Sequence, residues 1–109
     1  RVLSYQRYQG EKLRRRFNAY SYYRLSQAVD SHNLGRGRGT AEEQLRKIRS
    51  KSLVVAITSD ILFPPSDHTI LVDNIADVRY HLIDSDFGHD GFLVEHKQLN
   101  DIIINFLNE

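Results

Sequence analysis

Two residues of this chain have the type and setting for acid–base chemistry. Asp60 closes the run SLVVAITSD, just past a continuous apolar stretch, and His89 sits in the glycine-flanked loop DFGHDGFL, after a second apolar run, VRYHLI. In sheets of parallel strands, catalytic groups collect at the carboxyl ends of the strands. Adjacent strands lie only about 5 Å apart, so the loops that follow them become neighbours whatever their separation in sequence. A carboxylate beside an imidazole is the Asp…His half of a Ser…Asp…His arrangement, in that chain order, with the serine on an earlier strand. In such an arrangement the imidazole takes the proton of a hydroxyl that is otherwise a poor nucleophile. The carboxylate fixes the imidazole tautomer and steadies its protonated form. Gly88 and Gly91 would allow the turn that points His89 into a cleft. On order and spacing alone a plainer reading stays open: Asp60 can cap a helix, and His89 can be an ordinary loop residue.

The elements that must position this pair can be read from periodicity. The continuous apolar run 53–57 suits a strand buried on both faces, as in a parallel sheet. ILFPPSD ends it, and its prolines can open a helix over about 66–75, with Ile70, Leu71 and Ile75 inward. VRYHLI is a second strand. Two strands joined by a helix should be parallel, with a right-handed crossover. The last helix carries Leu99, Ile102, Ile103, Phe106 and Leu107 at the spacing of one buried face. Before the first strand, Thr40 and Glu43 in TAEEQLRKI have capping-box spacing, with Leu45 and Ile48 as a short apolar face. Two strands alone leave open edges and poorly covered helices, so the order reads as the last slice of an α/β domain, and those edges predict self-association.

Residues 3–32 are rich in tyrosine and arginine and contain no proline; they read as two helices, about 2–16 and 19–31, broken near Asn18. Arg14, Arg15 and Arg16 read as a solvated helix face. The glycines of NLGRGRGT make a flexible connection, not a phosphate loop, because no strand precedes them and no Gly-Lys-Ser/Thr follows. His32, His68, His81 and His96 lack the placement of His89 and read as structural or solvent-facing.

Composition narrows the classes further. The 109 residues suit one small domain or part of a larger one, with 40% apolar and 27% charged residues. Fifteen basic against 14 acidic side chains give no general attraction to nucleic acid or acidic membranes. The absence of cysteine excludes disulfides, thiolate metal sites and a cysteine nucleophile. No apolar stretch approaches a membrane span, and the N-terminal RVLSYQRYQG lacks the apolar core of a signal peptide. There is no methionine at all, and the start inside an apparent helix reads as a processed product or the tail of a longer protein.

The stretches SYQRYQGEKLRRRFNAYSYYRLSQAVDSHNLGRGRG, LVVAITSDILFPP and DSDFGHDGFLVE resemble the C-terminal part of the homoserine O-acetyltransferases, and the likeness covers nearly the whole chain. One local departure is NAYSYY, where that family more often has DANSYL. The resemblance implies the C-terminal portion of an α/β-hydrolase fold, with a helical lid segment and connection over 1–39 and an α-β-α-β-α core portion over 40–109. It implies Asp60 as triad acid, His89 as triad base, and Asp90 as the carboxylate that binds the ammonium of homoserine. It further implies a cytoplasmic enzyme of methionine biosynthesis, using acetyl-CoA as acyl-donor substrate, without metal or bound cofactor, and a homodimer paired through the lid helices.

No serine here stands in a Gly-x-Ser-x-Gly elbow: Ser21, Ser26, Ser31, Ser50, Ser52, Ser59, Ser66 and Ser85 all lack that setting. The nucleophile, oxyanion hole and substrate-binding arginine are expected outside these residues, in a missing N-terminal core segment, and the isolated chain is expected to be inactive. A succinyl donor or another hydroxyl acceptor is a close alternative. A non-catalytic dimerisation module is a more distant one, and RNA binding through GRGRG a remote one.

Overall fold

Asn18 interrupts the tyrosine-rich segment because it takes an extended backbone and its side chain accepts the Ser21 amide at 2.7 Å, which caps a new helix. Helices α1 (Val2–Arg16) and α2 (Ala19–Asp30) lie on either side. The computed structural model describes residues 2–109, in two compact units that divide between 33 and 34. In the first unit no residue of either helix is buried, and all five of its helical tyrosines are exposed. Glu11 accepts from Arg14 at 2.9 Å and lies 3.5 Å from Arg15, both exposed pairs of small energetic weight. Arg16 lies over the Phe17 ring. The arginine run is thus a solvated face.

The second unit opens with the capping box. Thr40 Oγ1 accepts the Glu43 amide at 3.2 Å, and Glu43 accepts the Thr40 amide at 3.0 Å, starting the short helix α3 (Ala41–Leu45). Strand β1 (Ser52–Ile57) and strand β2 (Val78–Ile83) then pair in parallel, from Ser52 beside Val78 to Ile57 beside Ile83. This is a mixed helix-and-strand arrangement compatible with a piece of an α/β fold. Val54, Ala56 and Ile57 of β1 are buried, whereas β2 is exposed along Arg79, Tyr80, His81 and Leu82 and buried only at Ile83. The core therefore thickens toward the carboxyl end of the sheet.

Three sequence expectations need correction. The helix read over 66–75 is a 3₁₀ turn, Pro65–His68, followed by α4 (Thr69–Asn74). Ile75 is buried and Leu71 half-buried, but Ile70 is exposed. A 3₁₀ turn advances about 120° per residue instead of 100°, so the apolar set behind it is rotated relative to an all-α reading. The last helix is present, unbroken, as α6 (His96–Asn108), with the short α5 (Gly91–Val94) before it. Its expected buried face is only partly covered: Leu99, Ile102 and Phe106 are half-buried, while Ile103 is exposed and Leu107 is 73% exposed. Two strands span only about 10 Å, too narrow a floor for the whole stripe. Polar contacts hold the helix end: Lys51 Nζ lies 4.8 Å over the Phe106 ring and 3.3 Å from Glu109, and Arg79 reaches Glu109 at 3.1 Å.

Candidate functional site

Past Ile57 the chain leaves β1 through Thr58, Ser59 and Asp60. Asp60 Oδ1 accepts the amides of Leu62 at 2.9 Å and Phe63 at 3.0 Å, the local turn that aspartate favours. Pro64 and Pro65 then keep Phe63 from continuing helically. The second oxygen, Oδ2, lies 2.8 Å from His89 Nδ1. The aspartate as cap and the aspartate as imidazole partner are therefore both present, one on each oxygen.

Asp60 is only 7% exposed, yet its carboxyl is held below the ordinary carboxylate value. The Phe63 amide is the largest cause, followed by the hydrogen bond to His89; together with the Leu62 amide they outweigh the opposing effect of burial. An ionised carboxylate can only accept, so Nδ1 carries the proton and donates it to Oδ2. That leaves Nε2 with the lone pair, and it has no hydrogen-bond partner among the described residues. The ring is flanked by Phe63, centroids 5.2 Å apart, and by Phe92 at 5.5 Å in an edge-on arrangement. Such an imidazole, oriented by a carboxylate at one nitrogen and open at the other, is equipped to take a proton from a hydroxyl and return it.

His89 is delivered by a 3₁₀ turn, Gly88–Asp90, and Gly88 has φ +58°, which disfavours side chains. Gly91 matters for a different reason. A Cβ there would stand 3.0 Å from Ile57 Cγ2 and 3.1 Å from Ser85 Oγ, tighter than ordinary contact, so a side chain at this position would push these neighbours by a few tenths of an ångström. Asp90 is exposed, its side chain makes no hydrogen bond among the described residues, and it does not join the Asp60–His89 pair. His32, His81 and His96 are exposed; His68 is half-buried, with Nδ1 unpaired.

The sequence reading passed over the hydroxyls that tie the two loops together. Thr58 Oγ1 accepts the Ser85 amide at 3.1 Å and donates to Asp84 Oδ1 at 3.0 Å. Ser59 Oγ accepts the Gly88 amide at 2.8 Å and donates to the Ser85 carbonyl. Buried Ser85 accepts the Phe87 amide on its Oγ at 3.3 Å. The signal available was their position: two hydroxyl residues directly between the strand end and Asp60. Among the described residues no cluster of side chains is arranged to hold a metal ion, and no helix is long and apolar enough to cross a membrane.

No family model matches the chain. It is 43% identical over 109 residues to the homoserine O-acetyltransferase of Cyclobacterium marinum, covering all of this chain and 31% of that protein. The homoserine O-acetyltransferase of Moorella thermoacetica is 46% identical over 112 residues, covering 99% of this chain and 30% of that protein. That of Thermus thermophilus is 46% identical over 105 residues, covering 95% and 27%. The chain thus spans about 30% of the length of these curated relatives, at their C-terminal end.

Proposed function

Because the chain belongs with the C-terminal part of the homoserine O-acetyltransferases, we propose that it supplies the acid and base of a Ser–Asp–His acyltransferase of α/β-hydrolase fold. The observation that carries this reading is the 2.8 Å contact between His89 Nδ1 and Asp60 Oδ2 at the carboxyl ends of two adjacent parallel strands. The serine lies in a part of the complete enzyme outside these residues, so the 109 residues alone are inactive.

In the complete enzyme His89 Nε2 takes the serine proton as the serine oxygen attacks the thioester carbonyl of acetyl-CoA. The C–S bond breaks, and the imidazolium gives its proton to the departing thiolate. Homoserine's hydroxyl then loses its proton to Nε2 and attacks the acetyl-serine, and the proton returns to the serine oxygen as O-acetylhomoserine leaves. Asp60 stays ionised throughout and stabilises the imidazolium. Asp90, whose carboxylate is unengaged, pairs with the homoserine ammonium. The exposed tyrosine-rich helices α1 and α2 form part of a lid and of a homodimer contact.

Steady-state kinetics of the complete enzyme test this. His89→Ala abolishes acetyl transfer, and Asp90→Ala raises the KM for homoserine more than it lowers kcat. Unchanged turnover in His89→Ala refutes the assignment.

A further inference from the structure

The strand register and the site register of this unit differ, and one side chain stands where they change. Along the sheet each β1 residue faces the β2 residue 26 positions later, through to Ile57 and Ile83. Asp60 and His89 are 29 apart, as are Ser59 and Gly88. Three extra residues have therefore been taken up in the second loop between the last strand rung and the pair. Ser59 touches both sides of that insertion: its Oγ donates to the carbonyl of Ser85, at separation 26, and accepts the amide of Gly88, at separation 29.

Ser85 and Gly88 are an i, i+3 pair. Many turns close such a pair directly, carbonyl to amide, and many others leave it open. Here no direct Ser85–Gly88 bond exists among the described residues, and the Ser59 hydroxyl is inserted between the two groups. One hydroxyl offers one proton and two lone pairs, so it can serve both at once. The next residue after Gly88 is His89, and the next after Ser59 is Asp60. We propose that Ser59 is a positioning residue: its hydroxyl closes the neck of the 85–88 loop and so sets the distance and angle at which His89 meets Asp60.

This role rests on the acyltransferase reading for its kinetic consequence but not for its structural one. Alanine at 59 leaves the half-buried Gly88 amide and the Ser85 carbonyl without their shared partner, and the loop is free to open in the direction that withdraws His89. Displacements of about 1 Å at a reacting group can cost about a hundredfold in rate. For Ser59→Ala in the complete enzyme we therefore expect kcat to fall about ten- to a hundredfold, with the KM for homoserine changed less than threefold, because the Ser59 hydroxyl is taken up by Ser85 and Gly88. Ser59→Thr, which keeps the hydroxyl, should restore most of kcat.

A second readout separates positioning from general support of the fold. With histidine and glycine labelled by ¹⁵N, the His89 Nδ1–H resonance should be lost to solvent exchange in Ser59→Ala, and exchange of the Gly88 amide should accelerate more than tenfold, while the unfolding midpoint stays close to that of the unsubstituted protein. A folded Ser59→Ala with the His89 resonance and Gly88 protection intact would overturn the proposal. If Ser59→Ala does not fold, the unsubstituted protein decides: a Gly88 amide that exchanges as freely as the exposed loop amides overturns it, and a protected one supports it. Should the resonance and protection change as expected while His89→Ala retains turnover, the acyltransferase reading fails and the positioning of His89 by Ser59 stands.

Discussion

Replacing Asp60 with asparagine isolates charge and tautomer from shape. The side chain keeps its size, and its remaining oxygen can still accept the Leu62 and Phe63 amides now held at 2.9 and 3.0 Å. The new amide nitrogen occupies the place of Oδ2, 2.8 Å from His89 Nδ1. Two donors cannot face each other there, so the imidazole must offer its lone pair at Nδ1 and carry its proton on Nε2. The base needed for a serine proton is then gone, although every atom is near its original position. In a triad of this kind, that substitution lowers kcat by about 10⁴ through the wrong tautomer alone. We expect a fall of about 10³- to 10⁴-fold in the complete enzyme, read by thiol release from acetyl-CoA in the presence of homoserine. Asp60→Ala should be less stable than Asp60→Asn, because it strips all three hydrogen bonds, and comparably inactive. The ¹⁵N shifts of the His89 ring report the tautomer independently of turnover. A folded Asp60→Asn with kcat within tenfold of the unsubstituted enzyme, or with the proton still on Nδ1, refutes the reasoning.

The same carboxylate makes an acid-stability prediction. Because its value in the folded protein lies below the ordinary one, the unfolded chain binds that proton more readily. The stabilisation is then complete above the unfolded value, about 3.9, and is lost as pH falls through the depressed folded value. Urea midpoints of the unsubstituted protein and Asp60→Asn should differ by a constant amount above about pH 5 and converge below pH 4; a gap that widens on acidification contradicts this. Two glycines should fail for opposite reasons. Gly88→Ala meets no atom closer than 3.7 Å, so its cost of about 1–2 kcal/mol comes from the backbone at φ +58°, and Gly88→Asn should recover part of it. Gly91→Ala has an ordinary backbone but crowds both the Cγ2 and the Cδ1 of Ile57, at about 1–3 kcal/mol; Ile57→Val removes only Cδ1 and should relieve part of it, and strictly additive costs in that double mutant would show that Cδ1 does not contribute to the crowding.

What the sequence made legible was whatever depends on residues close together in the chain. The break at Asn18, the Thr40–Glu43 box and both strands follow from caps, branching and apolar runs that act within a few residues. The meeting of Asp60 with His89 was also legible, because parallel strands joined by one helix leave few other places for their following loops. What escaped depends on partners or on phase. The α6 stripe gave no warning that Ile103 and Leu107 would lie exposed, since periodicity states which residues share a face and not what covers it. Ile70 escaped because a single 3₁₀ turn shifts the phase of everything after it. Thr58, Ser59 and Ser85 escaped because a hydroxyl in a loop has no spacing rule; its role is set by the carbonyl and amide it finds.

The distribution of packing explains why so small a sheet can hold so exact a pair. Ala56 and Ile83 are each 1% exposed, and Ile57, Asp60, Ser85 and Gly91 are buried around them. All six lie at the carboxyl end of the strands, whereas the middle of β2 is open on both faces. Beyond the last backbone rung, where the Thr58 amide donates to the Ile83 carbonyl at 3.0 Å, the pairing is continued by side chains, first Thr58, then Ser59, then Asp60 with His89. Each step leaves one fewer way for the second loop to move relative to the first. The His89 ring inherits its position from that sequence of contacts and needs little from the exposed aromatic residues beside it. Loosening the sheet at its amino end, around Ser52 and Val78, should therefore disturb the pair far less than removing one hydroxyl next to Asp60, even though the latter change deletes a single atom.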